Sequence, residues 1–99
     1  MHEVGLISAA LTHALEVARQ AGASRVERLT FVIAADGHIT PEAVQTLVAA
    51  LARGTIIEGA EVEVEVEVEA KVEGEVQGDR GVRPELALTS IDVDVPAPA

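Results

Sequence analysis

Glu61-Val62-Glu63-Val64-Glu65-Val66-Glu67-Val68-Glu69 is the stretch that decides the fold. A strict period of two puts the valines on one side of an extended chain and the glutamates on the other. That is the pattern of a strand with one buried and one solvated face. β-Branched Val suits a pleated, half-buried surface, and it carries the strand reading despite the glutamates. The alternation continues more weakly through Ala70, Val72, Gly74 and Val76. About sixteen residues would reach roughly 50 Å if straight, whereas a globule of this length has a radius of gyration of only about 13 Å. The strand is therefore expected to bend near Ala70 or Gly74, or to project as a ribbon.

Working back toward the amino terminus, the period changes to that of a helix. Val44, Leu47, Val48 and Leu51 form the apolar stripe of one helix. Thr40 stands at its N-cap position, Pro41 at its first turn and Glu42 near its positive end, while Arg53 and Gly54 suit its close. Asp36-Gly37-His38 reads as a turn. Before it, Leu29, Phe31 and Ile33 alternate within a strand from Ser24 to Ala35. Val4, Ile7, Leu11, Ala14, Leu15 and Ala18 recur at helical spacing from Val4 to Ala21, and Gly22 is a natural stop. Working forward, Gln77 to Pro84 supplies a turn and Leu86 to Val95 the last strand. Its inward set changes parity between Leu86/Leu88 and Ile91/Val93/Val95, which predicts a β-bulge at Thr89-Ser90. Residues 96–99, Pro-Ala-Pro-Ala, read as a flexible tail. The order α-β-α-β-β, with one apolar face per element, predicts an α+β two-layer sandwich. Two helices would pack on one face of a three-stranded sheet, and the glutamates would lie in water. Residues 1–95 form one domain.

Composition narrows the chemistry. Phe31 is the only aromatic residue, so the core must be aliphatic, and no cysteine is present to form a disulfide, a thiolate metal site or a nucleophile. Seven Lys and Arg stand against seventeen Asp and Glu, a net charge of -10. Such a surface repels phosphate backbones and has no aromatic platform for bases, so nucleic acid is not an expected partner. No apolar run approaches the roughly 18–20 residues that span a bilayer, and the start lacks the pattern of a signal peptide. A cytoplasmic location and no membrane partner are expected. The glutamate row admits three readings: a solvated face that protects sheet edges, a dock for a basic surface, or a loose site for hard cations. Lys71, Arg80 and Arg83 are the candidates to offset its charge.

Met1-His2-Glu3 carries the most specific chemistry. A free α-amine, the backbone nitrogen of His2 and its imidazole can grip one ion in fused chelate rings, and nitrogen sites of tetragonal or square-planar form suit nickel(II) or copper(II). Asp36 and His38 are further candidates. The first helix advances about 27 Å over eighteen residues, and a ten-residue strand returns about 33 Å, which brings their turn back toward Met1. His13, two to three turns along the helix, is too far from His2 to share an ion.

Met1-His2-Glu3 before an amphipathic helix, Arg25-Val26, Thr40-Pro41-Glu42-Ala43, Gly54-Thr55 with Glu58-Gly59-Ala60-Glu61, and Thr89-Ser90-Ile91 together resemble the HypA/HybF nickel metallochaperones of hydrogenase maturation. The resemblance covers about residues 1–69 and 86–95. It implies Ni(II) bound at Met1, His2 and Glu3. It also implies delivery to a HypB-like maturation GTPase and a [NiFe]-hydrogenase large subunit, and it leaves room for a homodimer. Family members carry a zinc ribbon between the last two strands. Here a cysteine-free linker or hairpin, about residues 70–85, stands in its place, so no structural zinc is expected. The competing reading is an adaptor that keeps the fold and docking surface without delivering metal. An enzyme is not expected, since Ser8, Thr12 and His13 on one helix make no catalytic triad.

Overall fold

A computed structural model of the chain describes residues 2–67 and 85–97, with His2 described by its backbone alone. Helix α1 spans His2–Ala21, strand β1 Arg25–Ala34, helix α2 Pro41–Leu51, strand β2 Glu61–Glu67 and strand β3 Leu86–Asp94. The expected α-β-α-β-β order is present. The possible continuation of β2 through Val76, its bend, and the cationic residues Lys71, Arg80 and Arg83 lie outside the described residues.

Each boundary has a local cause. At the end of α1, Gly22 takes a positive φ of 76°. Its N–H bonds the Arg19 carbonyl at 3.1 Å, and the Ala23 N–H bonds that of Ala18 at 2.9 Å, the paired closure of a Schellman motif. The chain turns back within three residues to start β1. At the start of α2, the Thr40 hydroxyl accepts the Ala43 N–H at 3.1 Å, with Pro41 beside it. Capping of this kind is worth about 1 kcal/mol.

The sheet order is β2-β1-β3, with β1 central, β2 parallel to it and β3 antiparallel. Parallel pairing follows from the connection, because returning to the same end of a sheet needs a crossover, and α2 is that crossover. Both helices lie on one face: α1 meets α2 and β3, and α2 meets β2. Beneath them Leu29, Phe31 and Ile33 are buried, aligned with Val62, Val64 and Val66 of β2. Ile7, Leu11, Ala14 and Ala18 supply the buried stripe of α1. Among the described residues the core contains no buried polar side chain.

The bulge expected at Thr89-Ser90 is there: Thr30 pairs with Ser90 but Phe31 with Leu88, leaving Thr89 extra. The Thr89 hydroxyl bonds the Thr30 carbonyl at 3.3 Å. A second shift lies between Val26 and Arg28. It lets Val26 join Leu29, three residues on, in the core, which strict alternation forbids. Three details of the sequence reading need correction. Leu51 is 39% exposed and Ala52, at 2%, takes the inner position at the close of α2. Val95 is 49% exposed, because β3 ends one residue earlier. Ile39 and Ile57, in connections rather than periodic elements, plug the core at 4% and 1% exposure.

Candidate metal centre

The candidate ligands fall in two places. His2 is the first residue of α1, and Glu3 stands half-buried in its first turn. The first four N–H groups of a helix have no intrahelical acceptor. The backbone nitrogens of His2 and Glu3 are therefore not committed to the α1 ladder. The helix dipole opposes a cation at this end, and the Glu3 carboxylate offsets it. Met1 and the His2 imidazole lie outside the described residues.

Asp36 and His38 are both exposed on the turn between β1 and α2. The Gly37 N–H bonds the Ala34 carbonyl at 3.2 Å, and the His38 N–H reaches Glu85 Oε2 at 3.4 Å. Gly37 admits that carboxylate: a Cβ there would sit 3.3 Å from Glu85 Oε2. The strand ends flanking this turn are tied in as well. The Ala34 N–H bonds the Glu85 carbonyl at 3.1 Å, and the Ala35 N–H that of Glu67 at 3.2 Å. Glu85 thus braces the turn from 47 residues away, a placement that no local pattern signals.

Among the described residues no three His, Asp or Glu side chains converge to hold a metal. Asp36 and His38 do not make a centre with their described neighbours. His13 is exposed on α1. The Thr12 hydroxyl bonds the Ser8 carbonyl at 3.0 Å, one turn back along the helix. Farther along α1, hydrogen bonds from Arg19 and then Gln20 hold the Glu16 carboxyl below its usual range, and the same contact raises Arg19.

The remaining shared stretches do structural work. In the connection after α2, the Thr55 hydroxyl donates to the Ala52 carbonyl at 2.7 Å and accepts the Ile57 N–H at 3.0 Å. The Glu58 carboxylate takes the Gly54 N–H at 3.2 Å. The Val26 N–H bonds the Ile56 carbonyl at 2.9 Å, locking this turn to β1. On the outer sheet face Arg28 lies 3.6 Å from Glu61, 3.8 Å from Glu63 and 3.9 Å from Asp92. It is the cation among the described residues that offsets the acidic row. The register explains it, since Arg28 is opposite both Glu61 and Asp92.

A family profile described as "Hydrogenase/urease nickel incorporation, metallochaperone, hypA" matches residues 1–77. The chain belongs to the HypA family. Hydrogenase maturation factor HypA of Methylocella silvestris is 36% identical over 64 residues, 65% of this chain and 57% of that protein. The HypA protein of Methanopyrus kandleri is 37% identical over 64 residues, 65% of this chain and 45% of that one. The chain spans about half the length of the curated relatives it matches. Its fold resembles the solution structure of the Ni metallochaperone HypA from Helicobacter pylori, with a TM-score of 0.71 over 95% of this chain and 98% of that one. Identity there is 12%, so that likeness concerns the fold.

Proposed function

We propose that this chain is a nickel carrier, not a catalyst. It binds Ni(II) through the Met1 α-amine, the backbone nitrogen and imidazole of His2, and Glu3 as the fourth partner. The observation that carries the reading is the family match, which begins at Met1-His2-Glu3. Two features support it. The three residues can chelate by adjacency in sequence, and His2 and Glu3 open a helix whose first backbone nitrogens have no intrahelical use. Asp36 or His38 would add to the site only from the neighbouring turn.

Nickel here is cargo. An open site at a chain end favours release over retention, as transfer to a HypB-like GTPase and then a [NiFe]-hydrogenase large subunit requires. Raw affinity should favour copper(II) over nickel(II) at such a site, so selection in a cell would rest on metal supply and the recipient.

The test is nickel titration calorimetry on protein with a free native amino terminus, beside His2→Ala. One-to-one binding, weakened at least about a hundredfold in the variant, is expected, a difference of about 2.7 kcal/mol. Equal binding by both proteins would refute the reading. Because the amine and the His2 amide nitrogen must each lose a proton to bind, affinity should also rise about a hundredfold over the pH unit below the amine's ordinary pKa of about 7.7–8, and about tenfold per unit above it.

A further inference from the structure

The outer edge of β2, which no other strand pairs among the described residues, combines three features that nickel binding does not use. First, its backbone beyond Val62 has no partner among the described residues. Gln45 Nε2 donates to the Val62 carbonyl at 3.3 Å, so that carbonyl points away from β1, whereas the Glu67 carbonyl bonds Ala35 on the β1 side. Alternation along the strand puts the N–H and C=O groups of Val64 and Val66 on the outer edge with Val62. Among the described residues no hydrogen bond reaches them. Second, an apolar groove of about 270 Å³ runs beside the start of this edge, between α2 and β2, with Ala49, Ala52, Ile57, Ala60 and Val62 in its walls. Farther along the same face, Val66 is 47% exposed. Third, the opposite face carries the glutamates. Arg28 serves Glu61 and Glu63, and Glu65 makes no ion pair among the described residues.

We propose that the β2 edge is a strand-addition site for a partner protein's extended segment in which basic and aliphatic residues alternate. Added backbone would bond the Val64 and Val66 groups. Aliphatic side chains on the helix side would enter the groove, and Lys or Arg on the other side would meet the glutamate row. Main-chain bonds supply affinity in this mode, and alternate side chains supply specificity. Charge selects the occupant. A second copy pairing edge to edge would set glutamates against glutamates, which destabilises a sheet pair, whereas a basic strand turns that cost into attraction.

The experiment uses the full chain with amide-resolved NMR and a capped peptide, Lys-Val-Lys-Val-Lys-Val-Lys. Three controls accompany it: the same peptide N-methylated at alternate residues, a Glu-Val counterpart, and a Glu65→Lys protein. The proposal expects the Lys-Val peptide to shift the Val64 and Val66 amides and slow their hydrogen exchange. It expects loss of binding on N-methylation, none by the Glu-Val peptide, and about fivefold weaker binding by Glu65→Lys at low salt. Equal binding of the N-methylated peptide would mean charge attraction without strand pairing, and would overturn the proposal. So would no binding, or protection of the same amides by concentration-dependent self-association without peptide. None of these readouts involves nickel, so the carrier reading stands or falls separately.

Discussion

The amino terminus and the Ala52–Ala60 turn both carry stretches that this chain shares with the HypA family, yet their polar groups are used in opposite ways. In the turn, the Thr55 hydroxyl both donates and accepts, and the Gly54 N–H is taken by Glu58. Those groups are spent within the fold. At the amino terminus, α1 opens with backbone nitrogens that the helix leaves unpartnered. A shared motif can therefore mean a fold to be held, as at Thr55, or, on the function proposed above, a ligand to be bound.

That contrast breaks if variants cross over in effect. His2→Ala, with the largest expected effect, should cost nickel affinity while leaving thermal stability within measurement error. Thr55→Val should do the reverse. It strands the part-buried Ile57 N–H, at a cost of about 1–2 kcal/mol, and thermal unfolding should show it with nickel affinity unchanged. Thr40→Ala removes the α2 cap and should cost about 1 kcal/mol, a fall in Tm of about 4–8 °C for a domain this small. Arg28→Gln tests the acidic face. Its ion pairs are long and partly exposed, so roughly 1 kcal/mol or less should be lost at low salt. Most of that loss should vanish in 1 M salt, where the screening length is only about 3 Å.

Much of the fold is legible from period alone. The Leu29/Phe31/Ile33 and Val62/Val64/Val66 alternations mark faces that the structure buries or turns toward the helices. The Thr40-Pro41 start and the Thr89 bulge are equally local. What escaped depends on contacts remote in sequence. The irregularity between Val26 and Arg28 is set by the pairing with β3. Ala52 displaces Leu51 because the helix ends against the Thr55 turn, and a small side chain fits there. In the candidate site, Met1-His2-Glu3 is readable because adjacency is itself the chelate. Glu85 beside the Asp36–His38 turn and Arg28 among the carboxylates are not, since each acts across a long loop or a strand register.

The most direct test of the carrier account is to acetylate the amino group of Met1 and leave every side chain intact. If the α-amine, backbone nitrogen and imidazole form one chelate, the acetylated chain should unfold at the same temperature as the native one. In calorimetry it should lose nickel affinity by about a hundredfold or more, as His2→Ala does. Undiminished nickel binding after acetylation would show that His2 acts without the terminal amine, and would contradict the central claim.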